Sequence, residues 1–299
     1  MGSPLASTTV QVRDGRSLDV YLGGDTDGAR GTILYHHGSP SSGIQGPGMA
    51  AACAERGLRL VSSSRAGYGS SSRREGRSVA DVVEDATDLL DALDVERAWV
   101  LGWSGGGPHA LACVALAPNR FPGAALIGGV APYPAEGIDW FEGMGPENVE
   151  EFQATLADPE NSVRSAERDW PQWRDVTGPE IAEAFGGLID DVDRGSLTGE
   201  FAEFVAAGSR EGLREGYWGW VDDDWAFTKH WGFDLSSIGV PVHVWQGGHD
   251  KMVPFNHGAW LCDHIPSACR HLHPEHGHLT LAVDSLGLIF DELTAPPAP

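Results

Sequence analysis

The sequence predicts an α/β fold, a mostly parallel sheet covered by helices on both faces, with a helical cap inserted in the second half of the chain. Three observations carry this expectation. Strand-type and helix-type runs alternate up to Val130 and again after Asp234, which implies right-handed βαβ crossovers. One strand run, Ala98–Leu101, passes straight into Gly102-Trp103-Ser104-Gly105-Gly106 and then into a helix-type run. Between Pro134 and Asp234 the alternation stops and no convincing strand pattern remains.

Taken in order, Thr8–Val12 and Ser17–Leu22 alternate around the turn dipeptide Asp14-Gly15 and read as an antiparallel hairpin. Thr32–His36 is a buried strand that empties into the loop His37-Gly38-Ser39-Pro40. Gly48–Arg56 is a helix stopped by Gly57, and Leu58–Ser62 is the next strand, followed by the loop 64–72. Ser78–Leu93 carries Val79, Val82, Val83, Ala86, Leu89, Leu90 and Leu93 at helical spacing. Strand Ala98–Leu101, helix Gly106–Leu116 and strand Ala124–Val130 complete the first half. Helical stretches Ile181–Asp190 and Thr198–Ala207 appear inside the altered segment. Strand Val242–Gln246, helix Phe255–Ile265, strand Ala268–His273 and helix Leu279–Leu293 then resume the alternation. The tail Ala295–Pro299 is Pro-rich and expected to fray. The domain expectation is a core of residues 1–133 and 235–299, with residues 134–234 as the cap.

The charge balance excludes several functions. The 299 residues hold 43 Asp and Glu against 20 Lys and Arg, a formal charge of −23. Such a surface repels phosphate backbones and anionic headgroups, so neither nucleic acid nor membrane is an expected partner. Residues 134–234 alone carry 24 of the acidic and 7 of the basic residues, together with seven of the 11 Trp. That acidity is most simply a solvated face. So many indoles, however, need burial against the core or around an apolar pocket. Cys53, Cys113, Cys262 and Cys269 lack metal or redox spacing and are too sparse for a disulfide scaffold, so reduced thiols are expected. The opening MGSPLASTTV has neither a basic nor an apolar leader region, and no apolar run nears the ~18 residues of a membrane span. A cytoplasmic protein is therefore expected, and a homo-oligomer is compatible with the sequence.

The chemistry centres on Ser104. A strand–turn–helix context gives G-x-S-x-G its meaning: the tight turn lifts the serine above the sheet edge at a helix N-terminus. Gly102, Trp103 and Gly106 build the elbow, and the Gly105 N–H points to where an oxyanion would form. Serine is a poor nucleophile without a base, and the base needs an acid to orient it. Asp250 follows the strand Val242–Gln246 on the loop Gly247-Gly248-His249-Asp250, and His278 stands at the entrance of the last helix. The order Ser104, Asp250, His278 is that of a serine hydrolase on a parallel sheet. His271, His273, His276 and His278 also crowd together, but no HExxH or second ligand cluster supports a metal, and none is expected. His249 and His276 read as polar loop residues. The loop His37-Gly38-Ser39-Pro40 offers the Ser39 N–H as a second oxyanion donor, and Arg65-Ala66-Gly67-Tyr68-Gly69-Ser70 reads as support beneath the site.

With these segments the chain resembles the α/β-hydrolase superfamily over nearly its whole length. The second segment departs from the usual Asp-Arg-Pro-Gly-x-Gly, with Ser64 and Ala66 where Asp and Pro stand elsewhere. The resemblance implies a cofactor-free Ser-Asp-His hydrolase with a helical cap, acting on a small molecule. A carboxylic-ester hydrolase is the leading expectation. The resemblance argues against haloalkane dehalogenase or epoxide hydrolase chemistry, because those relatives carry Asp where this chain has Ser104. A proline-iminopeptidase-like aminopeptidase would use the acidic cap to hold an α-ammonium, but its relatives carry His-Gly-Gly-Pro-Gly where this chain has His37-Gly38-Ser39-Pro40-Ser41. A C–C bond hydrolase or lactonase, and a ligand-binding protein that merely retains a triad, are the remaining alternatives.

Overall fold

The structure, a computed structural model, describes residues 6–296, so the Pro-rich tail falls largely outside it. In chain order its elements are β1 (Ala6–Gln11), β2 (Ser17–Gly24), β3 (Gly31–His36), α1 (Pro47–Ala54), β4 (Leu58–Ser63), α2 (Val82–Ala92), β5 (Trp99–Trp103), α3 (Gly106–Leu116) and β6 (Ala124–Ile127). Then come α4 (Pro146–Ala157), α5 (Pro159–Asp175), α6 (Ile181–Ala184), α7 (Asp191–Ser196), α8 (Gly199–Gly212) and α9 (Trp218–Phe227). The chain closes with β7 (Val242–Gly247), α10 (Phe255–His264), β8 (Ala268–His273) and α11 (His278–Leu293).

Eight strands form one sheet in the order β1-β2-β4-β3-β5-β6-β7-β8. The β1–β2 and β2–β4 pairs are antiparallel, and every pair from β4 to β8 is parallel. Successive side chains of a strand point to opposite faces, and here both faces are dry. Leu34, Val100, Leu126 and Val244 enter one apolar core, while Ile33, Tyr35, Leu101, Ile127 and Trp245 enter the other. Sheets buried on both sides read as continuous apolar runs, which is why the central strands were legible. Parallel pairing sends every strand's carboxyl end to one edge, and β3, β5 and β7 all empty their loops there.

The strand and helix expectations for the first half hold within a few residues. Helix α2 starts at Val82 rather than Ser78 because the Asp81 carboxylate accepts from the Ser78 N–H at 2.6 Å and closes a turn in front of the helix. Strand β6 ends at Ile127, short of the expected Val130, where Gly128 turns at φ 55°. Among the described residues the segment 134–234 contains six α-helices and no strand. The expected helix Ile181–Asp190 is broken: α6 stops at Ala184, Gly186 turns at φ 54°, and Asp190 already caps α7 by accepting from the Val192 N–H at 3.0 Å. All four cysteines are free thiols, Cys53 and Cys113 buried and the other two half-buried. No described helix is long and apolar enough to cross a membrane.

Candidate active site

The turn after β5 holds Ser104 at φ 55°, one of two described non-glycine residues with positive φ. Side chains avoid this region because Cβ crowds the following carbonyl. The conformation persists because the Ser104 N–H donates to Ile127 O of β6 at 2.8 Å and the Gly107 N–H returns to Ser104 O at 2.8 Å. The elbow also needs bare backbone. A Cβ on Gly106 would lie 2.0 Å from His36 O, and one on Gly102 would lie 2.4 Å from Gly106 O. Gly102, Gly105 and Gly106 thus let β5 turn hard against the end of β3, leaving Ser104 facing a cavity of about 340 Å³.

Asp250 and His278 meet beside it. His278 Nδ1 lies 2.7 Å from Asp250 Oδ2, and both residues are buried. Asp250 is held from all sides: Oδ1 accepts from the Met252 and Val253 N–H groups at 2.9 and 2.7 Å, and Oδ2 also accepts from Gln246 Nε2 at 3.0 Å. Burial raises the Asp250 carboxyl above its ordinary value. For His278 burial works the other way, but the Asp250 charge and hydrogen bond prevail and raise it above the usual histidine value. Nδ1 is engaged by Asp250, and His278 and Ser104 line the same cavity. The Trp103 ring stacks against the His278 ring at 6.0 Å and 25°. Gly128 makes room for the pair: at φ 55°, a Cβ there would stand 2.6 Å from His278 Nδ1 and 2.9 Å from Asp250 Oδ2.

Ser39 and Gly105 come together as the sequence suggested. A Cβ on Gly105 would sit 2.5 Å from Ser39 Oγ, and Gly38, Ser39 and Ser104 share the cavity floor. Among the described residues, neither the Ser39 nor the Gly105 N–H donates to a protein acceptor. The Arg65 guanidinium braces this loop, donating to His37 O, to Gly38 O at 3.2 Å and to Ser39 Oγ at 2.8 Å.

What braces Arg65 was not visible in the sequence. Asp223 of α9 is wholly buried, and its carboxylate meets Arg65 and Arg77 at 2.6 Å each, the Tyr68 hydroxyl at 2.8 Å and the Ser39 hydroxyl. Burial would raise this carboxyl, but the two guanidiniums hold it well below the ordinary carboxylate value. The acidity of residues 134–234 is therefore partly internal. Asp193 is a second case, accepting from three N–H groups at the start of α11.

Helices α4, α5, α8 and α9, with the stretch 184–188 from the end of α6, form the cavity's upper wall. Trp173, Phe185, Leu188, Phe204 and Trp220 give it an apolar lining, and Glu147, Glu150, Glu151 and Asp169 an acidic rim beside Arg168. Burial pushes the Glu151 carboxyl up to about 7, although the Trp220 indole N–H donates to it. Of the seven Trp in this segment, only Trp173 and Trp220 line the cavity, whereas Trp140 and Trp231 join the core and Trp218 lies under the Arg73 guanidinium at 3.8 Å.

The histidines grouped in the sequence divide between the site and β8, where His271 and His273 stack on the Trp245 ring at 4.0 and 5.3 Å. His278 belongs to the site, His276 faces Asp284 at 3.5 Å, and His249 binds Asp190 at 2.8 Å. The one described group with metal-ligand spacing is His243, His271 and Glu292, whose ligand atoms lie within 4.8 Å of one another. It sits at the start of β7, the opposite end of that strand from Asp250.

The comparisons with known proteins agree with this architecture. The family model for the alpha/beta hydrolase fold matches residues 31–169. The chain is 28% identical over 258 residues to a non-heme chloroperoxidase of Streptomyces lividans, covering 83% of each protein. It is 31% identical over 262 residues to a Mycobacterium phage D29 protein named among the non-heme haloperoxidases, covering 84% of this chain and 81% of that one. Among solved structures, an esterase from Exiguobacterium antarcticum superposes with a TM-score of 0.69 at 17% identity, over 99% of this chain and all of the other, a likeness of fold.

Proposed function

The chain belongs to the α/β-hydrolase superfamily, and we propose that it is a cofactor-free serine hydrolase cleaving a carboxylic ester of a small, partly hydrophobic substrate. Residues 134–234 act as its cap over a core of residues 1–133 and 235–299. Ser104 attacks the acyl carbonyl, His278 Nε2 takes its proton, and Asp250 keeps the proton on Nδ1 and steadies the imidazolium. The Ser39 and Gly105 N–H groups stabilise the tetrahedral oxyanion. His278 then returns the proton to the leaving alcohol, and water releases the acyl-enzyme by the same steps in reverse order.

One observation carries this reading: the buried His278–Asp250 pair opens onto the cavity that contains Ser104. The cavity volume of about 340 Å³ suits a small ligand, and the apolar wall suits an aromatic or branched acyl or alcohol group. The acidic rim disfavours anionic substrates. Fluorophosphonate labelling followed by mass spectrometry tests the nucleophile, and a panel of esters, amides and lactones tests the bond class. The reading requires the adduct on Ser104 and a preference for bulkier neutral esters over acetyl esters. An adduct on Ser39 or Ser70 overturns it.

A second reading follows from the relatives named as non-heme chloroperoxidases, which cover most of the chain. Peroxide-dependent halogenation by the same cavity would support it, and its absence alongside rapid ester turnover would remove it.

A further inference from the structure

We propose that Asp193, carried on α7 of the inserted segment, is a positioning residue for His278, holding the first turn of the helix on which that histidine stands. This rests on the reading of His278 as the general base.

Helix α11 begins at His278, and its N-cap position is Gly277, which has no side chain to satisfy the first backbone donors. Asp193, 85 residues earlier, supplies what Gly277 lacks. Its Oδ2 accepts from the His278 N–H at 2.7 Å, and Oδ1 accepts from the Leu279 and Thr280 N–H groups at 2.9 Å each. The Thr280 hydroxyl donates the carboxylate's fourth hydrogen bond, to Oδ1 at 3.1 Å, and accepts from the Gly277 N–H at 2.7 Å. Asp193 is fully buried, so the carboxylate acts undiluted by water on donors at a helix N-terminus, where negative charge is favoured.

Gly277 is shaped by this contact. Its φ of −99° is open to other residues. What excludes a side chain is Asp193: a Cβ on Gly277 would stand 2.3 Å from Oδ1. The approach of carboxylate to backbone is thus built into both partners. Two carboxylates now serve one histidine. Asp250 sets the ring's tautomer through Nδ1, and Asp193 sets the backbone from which the ring projects. These are the charged groups that act on His278, Asp250 more strongly and Asp193 in the same direction. Because Asp193 belongs to the segment that roofs the cavity, the base is fully placed only when that segment is docked on the core.

The experiment is Asp193→Asn in the full chain, with kcat, KM and the pH profile of kcat/KM measured on one neutral ester well below the melting temperature. Loss of a negative charge near the imidazolium should move the acid limb to lower pH, by about half to one unit. Loss of the helix anchor should lower kcat on the plateau by about 10- to 100-fold with KM little changed. A residue that merely stabilises the fold would lower the melting temperature and leave both the limb and the plateau in place; that result overturns the proposal. Should Asp193→Asn fail to fold, Gly277→Ala, which pushes the carboxylate away, must show both changes in weaker form, and wild-type kinetics there overturn it equally. His278→Ala separates the two levels of inference. If it keeps wild-type turnover, the base assignment has failed; if it is inactive while Asp193→Asn is normal, only the role of Asp193 has.

Discussion

At the carboxyl edge of the sheet, placement is done by backbone; in the inserted segment 134–234 it is done by charge. Around Ser104 the decisive positions are Gly102, Gly106 and Gly128, each barred from carrying a Cβ by a neighbour under 3 Å away. In the inserted segment the decisive positions are Asp193 and Asp223, wholly buried carboxylates aimed at groups of the core. The difference teaches how a segment with little parallel-sheet register of its own can still be docked reproducibly. Strand register locates a residue through many weak repeats, whereas a buried carboxylate with several matched donors locates it through one costly arrangement, since any other docking leaves the charge unpaired.

Several substitutions probe that contrast. The largest effects belong to the chemistry at that edge: Ser104→Ala and His278→Ala should each lower kcat by about 10⁴- to 10⁶-fold, with the melting temperature of Ser104→Ala close to wild type. Unequal losses of several orders of magnitude would show that the two do not act as a unit. Next comes Asp223→Ala, which leaves Arg65 and Arg77 buried without a counter-charge and should cost about 3–5 kcal/mol of stability by denaturant titration. Arg270, exposed opposite Asp263 at 2.6 Å, provides the control; Arg270→Ala should cost well under half as much.

Gly128→Ala should lower kcat about 10²-fold by displacing the His278–Asp250 pair, and a crystal structure of the variant would show the displacement. A near-normal rate would mean that the pair tolerates more movement than the close approach implies. A smaller effect is expected in the pH profile. Protonated His278 cannot accept the Ser104 proton, so activity falls as pH drops through its folded pKa. That pKa is raised, so the acid limb of kcat/KM should lie above the ordinary histidine value of about 6.5. The smallest change belongs to His276→Ala, which should alter kcat less than about threefold, since a surface contact such as its 3.5 Å approach to Asp284 contributes little. A loss comparable to that of His278→Ala would transfer the base to His276.

The order of elements, the elbow at Ser104 and the loops of Ser39, Asp250 and His278 were legible because each has a local cause. Apolar runs mark the buried strands, and small residues around a serine mark the turn. In residues 134–234, α4, α5, α7 and α9 are not legible: α5 and α7 start on Asp158 and Asp190, two among many acidic residues, α4 starts on Gly145 with no side-chain cap, and α9 is buried nearly all round and so shows no one-sided pattern. The role of Asp223 was likewise hidden. The run Asp222-Asp223-Asp224 looks like a solvated face, and only the fold reveals that Asp223 meets Arg65, Arg77 and Ser39.

The amino-acid sequence by itself therefore determined the sheet, its crossovers and the residue types of the candidate site, since periodicity and turn chemistry act between near neighbours in the chain. Tertiary structure alone decided how His278 is held against Asp250, that Gly128 must be bare, and which acids of the inserted segment turn inward. Those outcomes depend on contacts across 28, 85 and 158 residues of chain, as in His278–Asp250, Asp193–His278 and Arg65–Asp223. A carboxylate reads the same in sequence whether it meets water or a buried donor; desolvation, which exists only once the chain is packed, separates the two.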